Sequence, residues 1–425
     1  MSYIAISMCF AIGSFGYIGA RKIYSPIVTF SCFFGFLMLF ARLQLYGLYS
    51  VSDTVYFYII LGVVAFTVGA LFANKIKLPC VKLSDKNFSD KYYWIAVVIC
   101  LAGLIVNYKV ILIYFTQGLN IADIYNMMAR TVGGEETLLT NTYSHVEEIM
   151  QQYIGYPLLY MLVPMSILMY FEKRKSKYLI VAIGLFLIRF LVDFRRTYLV
   201  NIIIFVVIIA FIESKKGFNF IKRHKWKFIT AIVMLVIAFI VVSRVRRGED
   251  SYSFSYNLYT YYVGSIPYFD QRIQLWQASN SQFTYGFTSF RGIFAPFFSV
   301  FGLIFGLSEP AAFSRATDVV HSLHNIVLYI TSGHRFNSYA TVFFEFYADG
   351  GVIGIVIGSW IYGYIAQRLY RKLILQGNVR DKYRYAYFFS TFIMFSVLHF
   401  NFMVVCYAWP LIIDRLVFTN KQLNK

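Results

Sequence analysis

The sequence predicts an all-α integral membrane protein of about eleven transmembrane helices, and three observations predict it. Of its 425 residues, 59% are hydrophobic and only 14% charged, too few charges to cover the surfaces of soluble domains. Apolar runs of roughly 16–22 residues, the length that crosses ~30 Å of hydrocarbon, recur along the whole chain. Between them lie short lysine-rich clusters, which mark cytoplasmic loops by the positive-inside rule.

The first run, Met1–Ala20, lacks a basic leading segment and reads as a membrane helix, with no cleavable signal peptide. The clusters are Lys75, Lys77, Lys82, Lys86 and Lys91; Lys173, Arg174, Lys175 and Lys177; Lys215, Lys216, Lys222, Arg223, Lys225 and Lys227; and Arg371, Lys372, Arg380, Lys382 and Arg384. Placing them inside predicts helices over 2–20, 26–44, 55–73, 94–114, 153–171, 179–194, 197–213, 229–243, 351–370, 383–400 and 402–419. The N-terminus is then external and the C-terminus cytoplasmic. The net charge of +19 follows from topology, so lipids and not nucleic acid are the expected surroundings.

Two external loops result. The first, 116–152, carries Asp123, Glu135, Glu136, Glu147 and Glu148 against Arg130. The second, 243–350, spans about 100 residues and includes an apolar stretch at 290–307. A full crossing there would put Arg368–Arg384 on the wrong side, so it reads as re-entrant or interfacial. With no internal repeat or linker, residues 1–425 read as one polytopic membrane domain. Cys9, Cys32, Cys100 and Cys406 lie in apolar runs and Cys80 in a cytoplasmic loop; no spacing suggests a disulfide or a metal site.

Arginine carries the external charge. No lysine occurs from Ile229 to Arg371, yet Arg244, Arg246, Arg247, Arg272, Arg291, Arg315 and Arg335 do. Guanidinium forks bind phosphates bidentately and stay charged, which suits an outward-facing site for a lipid diphosphate. The plainer reading pairs them with Glu249, Asp250, Asp270, Glu309, Asp318, Glu345 and Asp349. Arg195 and Arg196 occupy a short external turn. Beside them Arg189 and Asp193 share a helix face at i, i+4 and can neutralise one another, which leaves the turn's charge uncompensated. Arg195, Arg196, Arg246, Arg247 and Arg291 are therefore the diphosphate-binding candidates.

For sugars, the segment from Ser251 to Asp270 is rich in tyrosine, and Tyr261, Tyr262 and Tyr268, with Asn337, offer flat faces and hydrogen bonds. Interfacial belts collect tyrosine as well. His321, His324 and His334 lie in the large loop, and histidine can move a proton near neutral pH. His334, His324 and Asp349 are the catalytic candidates. A metal on His321 and His324 lacks an evident third ligand, and Asp349 or Glu345 could instead favour a helix start.

Several patches resemble the bacterial oligosaccharide repeat-unit polymerases, also called O-antigen polymerases. They are Tyr114–Arg130 (YFTQGLNIADIYNMMAR), Asp193–Thr197 (DFRRT), Tyr262–Phe269 with Tyr285–Phe290 (YGFTSF), and above all Asn337–Gly354 (NSYATVFFEFYADGGVIG). Residues 1–109 are similar only in hydropathy. The resemblance implies a GT-C-like glycosyltransferase that uses undecaprenyl-diphosphate-linked oligosaccharide as donor and acceptor at the periplasmic face. It implies neither cofactor nor metal, and a possible chain-length regulator as partner. No glycine-rich nucleotide loop is present, and Asp123 has no acid two residues away. The related O-antigen ligases carry a His-Asn pair just before the last periplasmic helix. Here Phe336 precedes Asn337, and His324-Asn325 lies far upstream of Gly350, which favours polymerase over ligase. A lipid-linked oligosaccharide flippase would spread charge along many helices and keep its loops short.

Overall fold

The computed structural model describes residues 1–77, 86–118, 143–193, 196–212, 254–333, 335–336, 340–395 and 400–420, with the side chains of 86, 87, 193, 196, 197, 254, 257, 324, 335, 394, 395, 419 and 420 excepted. The helix expected over 229–243 lies outside them, as does most of the first acidic loop. In chain order the helices are α1 (Ser2–Ala20), α2 (Pro26–Leu43), α3 (Asp53–Lys75), α4 (Asp90–Leu104), α5 (Tyr108–Thr116), α6 (Tyr156–Lys173), α7 (Ser176–Asp193) and α8 (Arg196–Ile212). They continue with α9 (Phe254–Val263), α10 (Ser265–Ala278), α11 (Arg291–Phe305), α12 (Ala311–Asn325), α13 (Val342–Leu375) and α14 (Val379–Phe395). Four short strands form two antiparallel pairs: β1 (Lys86–Phe88) with β4 (Phe418–Asn420), and β2 (Leu328–Tyr329) with β3 (Arg335–Phe336).

Among the described residues, six helical stretches are long and apolar enough to cross a membrane: Ser2–Ala20, Pro26–Leu43, Asp53–Lys75, Asp90–Thr116, His145–Lys173 and Val342–Leu375. The chain is therefore a mostly helical membrane protein. Local chemistry sets the helix ends. Pro26 opens α2, where its missing N–H costs nothing, and Asp53 in the first turn of α3 complements the helix dipole. At the far end of α3, Arg371 donates from Nη1 to the carbonyls of Ala73 and, at 2.8 Å, Ile76, which would otherwise have no acceptor role filled in a dry setting.

The chain contacts divide into two compact units. The first comprises Met1–Leu83, Tyr252–Gly377 and Thr391–Val404. Its centre is the α3–α13 crossing, where glycine lets the backbones meet. A Cβ on Gly69 would stand 2.0 Å from the Trp360 carbonyl oxygen, and one on Gly363 2.0 Å from that of Phe66. Around the crossing Phe30 stacks on Phe66 with centroids 4.1 Å apart, and Phe34 meets Phe343 at 4.8 Å.

The second unit comprises Ser84–Ser251, Asn378–Ser390 and Val405–Lys425. Here α4 and the stretch before α6 touch through Gly103 and Gly155: a Cβ on Gly103 would lie 2.9 Å from Gly155 Cα. Both helices are irregular there, with a 3₁₀ turn at Ile105–Asn107 and a π-helical turn at Met150–Gly155. Lys173 pairs with Asp90 at 3.0 Å, and Lys382 with Glu172 at 2.8 Å.

Two expectations need correction. Residues 402–419 form no continuous helix: Asn401–Met403, Val405–Ala408, Pro410–Ile413 and Asp414–Leu416 are separate turns, followed by β4. Val404 is extended (φ −111°, ψ 129°) and Pro410 cannot donate to a preceding turn. Asp414 is held by two arginines of α14, Arg380 and Arg384, at 2.7 and 2.6 Å. The second correction concerns α13. The helix expected over 351–370 is preceded by a separate helical piece, Val342 to Asp349, that meets it at a break. Gly351 has φ 62° and ψ −141°, open to glycine but strained for other residues.

Candidate functional site

The break in α13 organises the part of the first unit where most candidates fall. Ending the helical pattern at Gly350 frees the carbonyls of Ala348 and Asp349, and the turn at 284–289 takes them. Thr284 N donates to Ala348 O at 3.1 Å and Tyr285 N to Asp349 O at 3.0 Å. The turn can reach because Tyr285 and Gly286 adopt positive φ of 54° and 93°. The Asp349 carboxylate then accepts from Thr284 Oγ1 at 2.6 Å, Thr288 N at 2.9 Å, Ser289 N at 3.0 Å and Ser289 Oγ. YGFTSF and the Asp-Gly-Gly stretch, two of the patches quoted above, are thus one structural unit. Both Asp349 oxygens are engaged, the arrangement of an anchor and not of a group waiting to accept a proton.

One turn earlier, Glu345 is 1% exposed and accepts from Phe400 N at 2.6 Å. Phe400 packs edge-on against Phe346 and Phe290, with centroids 5.1 and 5.5 Å away. Glu345 lies in the first turn of α13, where a carboxylate favours the helix dipole, and it does so inside the fold.

Three arginines gather around α12. Arg272, on α10, donates to the Ser322 carbonyl at 3.2 Å and to Ser322 Oγ at 2.6 Å, and lies over the Phe344 ring at 5.0 Å. It is only 5% exposed, and its Nε has no partner among the described residues. Burial pulls its pKa below the ordinary arginine range, with Tyr268 opposing; a guanidinium so shifted is still charged at neutral pH. Arg291, at the start of α11, donates from Nε to Thr317 Oγ1 at 3.1 Å. Arg315 projects from α12 itself, half-buried, and its Nε also lacks a partner among the described residues.

Acid pairing does not explain Arg272. Asp270 instead accepts from Ser52 N at 2.7 Å, Ser52 Oγ at 2.9 Å and Gln274 Nε2 at 3.2 Å. Asp349 is taken by the hydroxyl turn, and among the described residues every contact of Arg272 is to a neutral group.

The tyrosine candidates separate. Tyr268 is fully buried, stacks edge-on with Phe336 at 5.4 Å and donates to Ile326 O at 3.0 Å. It is a core residue and presents no face to a sugar. Tyr261 and Tyr262 are half-buried and meet edge to face at 5.3 Å. Arg195, Arg246, Arg247, His334 and Asn337 lie outside the described residues, as do the side chains of Arg196, His324 and Asp193.

Arg272 and the hydroxyl run Thr284, Thr288 and Ser289 are the residues that sequence reasoning passed over. The spacing of those hydroxyls just before an apolar helix, with an Asp-Gly-Gly further on, was the available signal. Among known proteins, no family profile, curated sequence or solved structure matches this chain.

Proposed function

We propose that this chain is a polyprenyl-diphosphate-dependent glycosyltransferase of the repeat-unit polymerase kind, with about eleven crossings in a GT-C-like arrangement. In this reading it sits in the bacterial inner membrane and works at the periplasmic face, moving a growing surface glycan from undecaprenyl diphosphate onto an incoming lipid-linked repeat unit. The acceptor hydroxyl attacks the anomeric carbon of the donor, the bond from that carbon to the diphosphate oxygen breaks, and the acceptor proton passes to a base. Arginines beside the leaving diphosphate stabilise its charge. Histidine, His334 or His324, is the better base, since Asp349 is committed to the hydroxyl turn.

The observation that carries this reading is Arg272: a buried cation in the long segment before α13 whose partners among the described residues are all neutral. A positive charge left uncompensated away from water is costly unless the protein uses it, and an anionic lipid head group is the use that fits a membrane protein. The motif patches described above support the polymerase within that class.

A lipopolysaccharide gel from cells lacking the gene, with and without the wild-type copy, tests it. The expected result is a ladder collapsed to core plus one repeat unit, restored by the wild-type copy. Loss of every glycan band with accumulation of lipid-linked polymer would mean a ligase, and accumulation of lipid-linked single units alone a flippase. Arg196→Ala at normal protein level is expected to shorten or abolish the polymer.

A further inference from the structure

The second unit holds a set of buried polar side chains that neither its packing nor the mechanism above uses. Asn107 (2% exposed), Gln151 (5%), Arg189 (8%), Tyr198 (3%) and Asn201 (6%) all lie within apolar helices. They are neighbours, not scattered cases. Gln151 Nε2 donates to Asn107 Oδ1, and Tyr143 hydroxyl donates to the same oxygen at 3.5 Å. The Arg189 guanidinium lies over the Tyr156 ring at 4.5 Å and is within electrostatic reach of Tyr143 and Tyr198. Tyr198 packs on Tyr160 at 4.5 Å and stacks on Phe186 at 5.9 Å, and Asn201 follows it one turn along α8.

Four atoms in this group have no hydrogen-bond partner among the described residues: Asn107 Nδ2, Tyr198 hydroxyl, and both Nδ2 and Oδ1 of Asn201. Buried polar atoms are nearly always hydrogen-bonded, so four without a partner among the described residues on neighbouring helices call for an account. The backbone beside them is irregular too. The 3₁₀ turn at Ile105–Asn107 and the π turn at Met150–Gly155 carry Asn107 and Gln151, and π turns inside helices concentrate at functional sites. On the charge-derived topology, Arg189 and Tyr198 lie near the outward ends of α7 and α8 and Gln151 in the stretch leading into α6, while Asn107 lies deeper, just before the start of α5.

We infer that this group is a sugar-reading subsite, built to take one hydroxylated ring of the lipid-linked glycan. The inference rests on the glycosyltransferase reading. The chemistry of the vacant groups selects the ligand. An amide offering both a donor and an acceptor matches a ring hydroxyl, which itself donates and accepts. The second amide donor and the phenol add two further contacts of the same kind.

Asn201→Leu and Tyr198→Phe in the full-length protein test it, because the subsite and a purely structural role predict opposite pairings of results. Both variants remove an unpaired buried polar group; Tyr198→Phe does so with almost no change of volume, so its melting temperature in detergent stays at or above wild type, while Asn201→Leu keeps the branching of the side chain. The probe is lipid-linked repeat unit extracted from cells lacking the gene, with binding read by native mass spectrometry. The expected outcome is binding weakened about tenfold or more by each variant, the equivalent of ~1.4 kcal/mol, with a matching loss of long polymer in cells. If wild type binds the probe and both variants bind within about twofold of it, the orphaned atoms are served by buried water and the subsite is overturned, while the glycosyltransferase reading stands. A lowered melting temperature in both variants with unchanged binding by Tyr198→Phe also overturns it. If wild type itself fails to bind the probe, both readings fall together.

Discussion

Asp349 and Thr284 stand 65 residues apart in sequence and meet at 2.6 Å, carboxylate oxygen to hydroxyl, where α13 breaks at Gly350–Gly351. The contact fixes the turn before α11 against the break, and four donors converge on the one carboxylate. Asp349→Asn replaces an accepting oxygen by an NH₂ that faces other donors. The variant is expected to lose about 2–4 kcal/mol of stability, seen as a lower melting temperature in detergent and a lower membrane level. An unchanged melting temperature would show that the turn is held by its backbone bonds alone.

The α3–α13 crossing should tolerate no side chain at its two glycines. Gly69→Val or Gly363→Val drives a Cβ to within 2.0 Å of a carbonyl oxygen, a cost of at least ~2 kcal/mol. Gly19→Ala is the control, because nothing lies within 4 Å of its Cβ. Yield after detergent extraction, compared across the three variants, reads the difference.

Arg272→Met separates charge from packing. Methionine keeps most of the apolar stem that lies against Phe344. The fold is expected to be as stable as wild type or more so, because an uncompensated buried cation is gone. Transfer is expected to fall by tenfold or more (~1.4 kcal/mol) if the cation serves an anionic substrate. Normal polymer with normal protein level would remove Arg272 from the site.

Asp414 has 0% exposure and receives both Arg380 and Arg384. Asp414→Ala leaves two guanidinium groups facing each other without their counter-ion, which is expected to cost ~3–5 kcal/mol. Arg384→Gln leaves the Arg380 pair intact and should cost less. Thermal unfolding of the two variants side by side gives the ranking.

The first three helices were legible to within two residues because each is a uniform apolar run between residues that start or stop helices, such as Pro26 and Asp53. The end of the chain was not. An apolar count over 402–419 cannot see that Asp414 has two arginines to meet, and tertiary pairing overrode the pattern. The site was legible in part. Sequence patches picked out the 285–290 turn and the stretch around Asp349, but their joining needed a contact across 65 residues, and so did the hydroxyl donors on Asp349. Tyr268 looked like its neighbours Tyr261 and Tyr262 in sequence; only its burial against Phe336 and Ile326 distinguishes it.

The pairing of β1 with β4 has a consequence for how the chain is made. Lys86–Phe88 emerge early from the ribosome, while their partners Phe418–Asn420 are translated more than 300 residues later. The first unit also draws on residues before Leu83 and after Tyr252. Each half of the molecule must therefore wait, inserted but unfinished, until late synthesis supplies its missing piece. A stall or premature stop after α13 would strand early helices with their polar groups and glycine grooves open to lipid, a ready target for membrane quality-control proteases.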